Sequence, residues 1–161
     1  METKQIPVFS GYELHALSIF QNLLDDLTKE VETLQAKDPI YFYDHPSTKL
    51  LLAVLCNITQ TVPSNPDHAD FRQGLTLGKK HTSWRRVKKK SLPPRYRLFF
   101  QFNSQAPKTI IYAWMNDEST QRKAGAKTDV YAVFEKMLNS GKVPNSWEEL
   151  CKAANPLQLE S

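Results

Sequence analysis

From Phe71 to Asn116 the chain contains no aspartate and no glutamate, although it carries 17 of them in 161 residues. The same 46 residues hold 11 of its 21 lysines and arginines. Ten acids precede Phe71 and seven follow Asn116, so the formal net charge of +4 understates how unevenly charge is laid out. A surface of mixed sign is excluded for this segment, which keeps a positive potential that phosphates can find. Nucleic acid is therefore the first partner to consider, beside the plainer reading of a solvated basic face.

Other shortages narrow the class further. Cys56 and Cys151 are the only cysteines, without CxxC or Cys/His spacing, which excludes a disulfide framework or zinc motif and fits a reducing cytoplasm. The longest apolar run, Leu50 to Cys56, falls far short of the ~20 residues that span a bilayer, and no signal pattern opens the chain. A cytoplasmic protein that avoids membranes is expected. HExxH, paired-carboxylate and P-loop patterns are missing, so no metal and no cofactor are expected. The length suits a single domain over residues 1–161, with a flexible tail at 155–161.

What is present reads as helices flanking strands. Tyr12 to Ala16 alternates as a half-buried strand would. Leu17, Phe20, Leu24, Leu27, Val31 and Leu34 then recur at helical spacing, ending near Asp38-Pro39. A second helix is expected over 48–61, capped by Ser47 and closed by Pro63. Residues 64–83 read as loop with a short turn near Phe71. Three strands follow, at 84–88, 95–102 and 109–115, joined by short connections that favour an antiparallel meander. Thr128 or Asp129 starts a helix with the stripe Val130, Val133, Phe134, Met137, Leu138, and Ser146 to Glu149 has capping-box spacing for a last short one.

Strand alternation sorts the basic residues. Trp84, Arg86, Lys88 and Lys90 share one face, and Arg95, Arg97, Phe99 and Gln101 one face of the next strand. With Val87, Tyr96, Leu98, Phe100 and Phe102 turned to the helices, the basic rows form a cationic platform on an open face. Such a platform binds a phosphodiester, or goes further and stabilises the charge that builds on five-coordinate phosphorus. Arg86 and Arg97 suit either task because a guanidinium forks onto two phosphate oxygens. Lys88, crowded by like charge, is the candidate for acid/base duty. Tyr131 stacks on a base, contacts the phosphate, or is a core-edge tyrosine. Trp84 and Trp114 stack on bases or belong to the core. Among the histidines 15, 45, 68 and 81, only His81 lies beside the basic block, which leaves a two-histidine ribonuclease open.

Trp84-Arg85-Arg86-Val87-Lys88, Arg95-Tyr96-Arg97-Leu98-Phe99-Phe100 and Trp114-Met115-Asn116-Asp117-Glu118 carry a resemblance to the YhaV-type toxins, RelE-like endoribonucleases of bacterial toxin–antitoxin pairs. Lys127-Thr128-Asp129, Tyr131, Val133-Phe134, Lys136-Met137-Leu138, Glu30 to Leu34, Lys37-Asp38-Pro39 and Thr48 to Leu51 continue it. The resemblance implies an α+β, RelE-like fold: a small twisted antiparallel sheet packed on two N-terminal helices, with a C-terminal helix. It implies metal-independent mRNA cleavage by 2′-hydroxyl attack, with inhibition of translation. The catalytic set carried over is Arg86, Lys88, Arg97 and Tyr131. Arg85, Lys89, Lys90, Arg95, Trp114, Asn116, Asp117, Arg122 and Lys127 are the RNA-binding candidates. The implied partners are mRNA, on or off the ribosome, and a PrlF-like, AbrB-type antitoxin, with operator DNA reached only through the toxin–antitoxin complex. A non-enzymatic nucleic-acid-binding role, or a ParE-like gyrase-inhibiting toxin, is the alternative. The chain departs from the family at Lys89 to Pro94, a hairpin longer than usual and without glycine, so Lys90 can stand in for Lys88.

Overall fold

The computed structural model describes residues 5–159, apart from the side chain of Glu118. Its six strands form one sheet: β1 (Val8–Phe9), β2 (Tyr12–Ala16), β3 (Arg85–Val87), β4 (Leu98–Asn103), β5 (Thr109–Met115) and β6 (Asn155–Pro156). The order is β1-β2-β5-β4-β3, with β6 also on β2. β3, β4 and β5 make the expected antiparallel meander. The sheet as a whole is mixed, because β2 joins β5 in parallel. That pairing requires a long crossover, which the helical segment between them supplies.

α1 (Ser18–Lys37) buries Phe20, Leu24 and Val31 and ends where Pro39 can no longer continue it. α2 (Pro46–Cys56) starts two residues earlier than expected: His45 caps it by accepting from the Ser47 N–H, and Pro46 takes the first turn, where its missing N–H costs nothing. The helix then widens into a π-turn over Asn57–Thr61 before a closing turn, α3 (Val62–Ser64), which includes Pro63. α4 (Val130–Asn139) is capped by Asp129, one of the two candidates, and α5 (Trp147–Ala153) by Ser146, as the sequence predicts.

The sheet has helices on both faces. Against α1 and α2 lie Leu14, Val87, Leu98, Phe100, Ile110 and Tyr112. Against α4 and α5 lie Trp84, Phe99, Ile111, Ala113 and Trp114, with Phe134 stacked on Phe99 at 4.1 Å. A bulge between Phe99 and Phe100 lets Ala113 and Trp114 both turn to this second face. The expected open platform is therefore covered over its middle by α4. Its cause is the aromatic content of that face, since Phe99 and Trp114 need apolar cover that a polar RNA surface does not give. Leu17 also belongs to this second cluster and not to the α1 stripe.

At the C-terminal end, Asn155–Pro156 pairs with β2, Leu157 is buried, and the Leu157 N–H bonds to the Leu14 carbonyl. Residues 155–157 are thus tied to β2 and the Gln158 N–H to Gln21 of α1, where a flexible tail was expected over 155–161; Glu160 and Ser161 lie outside the described residues. No helix among the described residues is long and apolar enough to cross a membrane.

The π-turn and the sheet meet at one hydrogen bond, from the fully buried Tyr112 hydroxyl to the Ile58 carbonyl at 2.7 Å. Burial pushes the Tyr112 phenol well above its ordinary value, so it stays a donor. Tyr112→Phe should strand that carbonyl and cost about 1–3 kcal/mol. Thermal denaturation followed by circular dichroism checks this, and an unchanged midpoint would contradict it.

Candidate active site

Three elements converge on the hydroxyl of Tyr131. Arg86 on β3 donates to it from Nε at 2.9 Å, and Arg97, just before β4, donates from its own Nε at 3.1 Å. Tyr131 sits in the first turn of α4, and its N–H is held by the capping carboxylate of Asp129 at 3.1 Å. Its ring stands edge-on to Phe99 and has the guanidiniums of Arg122 and Arg97 at 4.9 and 5.9 Å from its centre. Of the three readings open for Tyr131, the structure speaks to the core-edge one. Its ring is core, 4% exposed, and its oxygen is the hub of the basic residues.

Arg86 is 8% exposed, so its charge must find hydrogen bonds within the fold. Nη1 supplies one, donating to the Asp70 carbonyl at 2.7 Å. Arg97 likewise donates from Nη1 to the Tyr96 carbonyl at 2.9 Å. Nη2 of neither arginine bonds to a described residue, which leaves charged donors for a phosphate oxygen. The acceptors of both guanidiniums are neutral. They orient the guanidiniums without cancelling their charge.

Arg97 is placed by Asn116, 2% exposed, whose Oδ1 accepts the Arg97 N–H at 2.8 Å. The Asn116 amide donates to the carbonyls of Arg95 and Thr120 at 3.1 and 3.0 Å, tying the hairpin's return to the loop after β5. Asn116 was expected to touch RNA; its burial makes it a positioning residue instead. Arg122 is an ion-pair partner of Asp129 at 2.9 Å, and its N–H reaches the Arg95 carbonyl. Burial raises the Asp129 pKa, but the Lys123 N–H, the Arg122 guanidinium and the Tyr131 N–H together outweigh it and hold the carboxyl below its ordinary 3.8.

Continuing the Arg86↔Phe99, Val87↔Leu98 register by one step sets Lys88 opposite Arg97. Lys88 is half-buried and makes no hydrogen bond or ion pair with the described residues. It lines a cleft of about 540 Å³ with Arg86, Asp70 and Lys90, and a second hollow of about 420 Å³ with Arg95 and Arg97. Lys90 does not stand in for it, being drawn away to Asp70 at 2.8 Å. The long hairpin makes this detour with Lys89, Lys90, Ser91 and Arg95 all at positive φ, an unfavourable conformation without glycine. Buried Leu92 and the Asn57 amide, which donates to the Lys90 carbonyl at 3.0 Å, hold it there.

Several expected RNA contacts are placed elsewhere. Arg85 alternates to the opposite face, over the Phe102 ring at 5.6 Å and paired with Asp67 at 3.3 Å. Trp114, 6% exposed, packs in the core nearly parallel to Phe99 and Phe134, at 6.0 and 5.8 Å, so its ring cannot meet a base without unpacking. Asp117 spends its carboxylate capping the turn Glu118–Thr120. Lys89, Arg95 and Lys127 are exposed around the site. His81 is buried between Asn139 and Asn145, away from a reacting role, and His45 and His68 cap short helical segments through Nδ1. Among the described residues no three His, Cys, Asp or Glu side chains are placed to hold a metal. Asp129 could have been read as more than a cap from its spacing to Tyr131. Asp70, one residue outside the acid-free segment, gave no signal.

The chain matches the family Toxin_YhaV, described as "toxin with endonuclease activity, of toxin-antitoxin system", over residues 14–155. It is 45% identical over 144 residues to "Ribonuclease toxin YhaV" of Escherichia coli K12, covering 89% of this chain and 92% of that protein. "Toxin YhaV" of Escherichia coli O157:H7 matches with the same identity and coverage. No solved structure matches.

Asp129 yields a pH prediction. Its depressed folded-state pKa means the stability it contributes is in place above the ordinary aspartate value of 3.8 and is lost as pH falls through the lower folded value. Asp129→Asn should keep the cap, lose the Arg122 pair at a cost of about 1–2 kcal/mol at neutral pH, and flatten the acid limb of stability. Urea titrations at neutral and acid pH check this; parallel acid limbs for the two proteins would contradict it.

Proposed function

The chain belongs to the YhaV toxin family, and from that membership we propose that it is the ribonuclease toxin of a toxin–antitoxin pair, cutting mRNA without metal through its own 2′-hydroxyls. The observation that carries this reading is the Tyr131 hydroxyl gathering the cations Arg86 and Arg97 side by side, each with an Nη2 that bonds to none of the described residues. A scissile phosphate bound there accepts from the two guanidiniums. Attack by the adjacent 2′-oxygen builds a second negative charge on the equatorial oxygens, and fixed cations in a partly dry site stabilise that charge more than they stabilise the bound substrate. The P–O5′ bond breaks and a 2′,3′-cyclic phosphate remains, opening later to a 3′-phosphate.

Lys88, beside Arg86 in one hollow and Arg97 in the other and without a partner among the described residues, serves as phosphate clamp or as the base that takes the 2′-hydroxyl proton. Tyr131 receives two N–H donors on its oxygen and directs its own proton outward, where it orients RNA or assists proton transfer to the leaving oxygen. Arg122 packs its guanidinium on the Tyr131 ring while pairing with Asp129. Exposed Lys89, Arg95 and Lys127 steer RNA toward the site. We assign the partner a PrlF-like, AbrB-type antitoxin that neutralises the toxin and, in complex with it, represses their operon, all within the cytoplasm.

Purified protein incubated with mRNA in the presence of EDTA should yield fragments ending in 2′,3′-cyclic or 3′-phosphate. Arg86→Ala and Arg97→Ala should each lose about 10²-fold or more in rate, on the scale of removing one transition-state donor. Tyr131→Phe removes the acceptor that orders both guanidiniums and should lose activity on the same scale, although the ring remains. Cleavage abolished by EDTA would overturn the metal-free mechanism. RNA left intact both alone and in a translation extract would overturn the ribonuclease and favour a toxin that binds without cutting.

A further inference from the structure

Resting on the ribonuclease reading, we propose that the cleft of Arg72, Arg86, Lys88, Lys89 and Lys90 is a second phosphate subsite, for a backbone phosphate beside the one that is cut, and that Asp70 occupies it in the free protein as a carboxylate stand-in.

The cleft, about 540 Å³, is lined by these five cations and by a single acid, Asp70. Asp70 Oδ2 accepts from Lys90 Nζ at 2.8 Å and lies 3.6 Å from His68 Nδ1. Its backbone is held separately: the N–H donates to His68 Nδ1 at 3.0 Å, and the carbonyl accepts from Arg86 Nη1 at 2.7 Å. The carboxylate can therefore rotate away about its side-chain torsions while the backbone keeps Arg86 in place. Both members of the Asp70–Lys90 pair are substantially exposed, and such pairs are weak enough to be exchanged for a competing anion. A phosphodiester carries the same single negative charge as the carboxylate it replaces, with oxygens that suit the same donors.

Arg86 and Lys88 belong both to this cleft and to the group around Tyr131, so a strand of RNA in the second subsite enters the first without leaving the basic surface. The unusual hairpin acquires a reason as well. Its positive-φ turn brings Lys90 back over the 69–71 turn, where it meets Asp70. In the free protein the acid offsets the repulsion among five cations; with RNA bound, the phosphate does so.

The test measures binding of a 2′-O-methyl oligoribonucleotide, which cannot be cut, by the wild-type protein, Asp70→Asn, Asp70→Ser, Lys90→Ala and Asp70→Asn/Lys90→Ala, over a series of salt concentrations. Both Asp70 variants should bind roughly two- to fivefold tighter, the scale of an exposed ion pair. Lys90→Ala should bind more weakly, with a salt slope shallower by about one unit. In the Lys90→Ala background the gain from Asp70→Asn should disappear. The proposal is overturned if neither Asp70 variant binds tighter, or if the gain persists undiminished without Lys90, which would make Asp70 only part of the general field. Cleavage of an ordinary RNA by the wild-type protein is assayed alongside. Failure there removes the ribonuclease reading and leaves the binding comparison to decide the subsite.

Discussion

A single phenolic oxygen holds the functional end of this molecule together. Two guanidiniums brought to the same place repel each other, and Arg86 is buried deeply enough that its charge needs an acceptor. A carboxylate would settle both problems but would neutralise the site. The hydroxyl of Tyr131 accepts from both arginines and carries no charge, so the cations are ordered and stay available. The interaction spans β3, the hairpin's return and α4, which is why α4 must be seated correctly for the site to exist. Phe99, stacked on Phe134 and Trp114, seats it. The aromatic layer that covers the sheet is thus part of the site's construction.

Charge placement follows a related rule. The acids that pair with cations here come from outside the acid-free segment, and each meets a residue at the rim: Asp67 with Arg72 and Arg85, Asp70 with Lys90, Asp129 with Arg122. Arg86, Lys88 and Arg97, at the centre, have no carboxylate partner among the described residues. The pairs of Asp67 with Arg72 and of Asp70 with Lys90 restrain loops at little electrostatic cost, being exposed and screened. The central cations keep the field that a phosphate would feel. Asn116 and Asp129 complete the frame by fixing the backbone on either side of Arg97 and Tyr131.

Much of this was legible in the chain. Alternation through the strands put Arg86 and Arg97 on one face and Val87, Leu98 and Phe100 on the other, as the two clusters bear out. The helix starts at Asp129 and Ser146 were legible because capping is local chemistry. The cover over the second face was not, since Trp84 and Trp114 are open to base stacking as well as to the core until α4 is packed against them. Arg85 was placed with its neighbours by charge, yet one step along a strand turns it to the far side. Asn116 was placed on the surface by its polarity and is buried because three backbone groups need it.

The sequence by itself determined the identity of the central cations, the elements that carry them and the chemical class of ligand they suit. Those properties depend on periodicity, capping and charge, all of which act over a few residues. Only the tertiary structure decided that a tyrosine from the last third of the chain gathers two arginines, and that an aspartate just outside the acid-free stretch reaches into the basic cleft. Arg86 and Tyr131 are 45 positions apart, and Asp70 and Lys90 are 20 apart. Contacts at such separations are fixed by how the layers pack, and no local pattern encodes them.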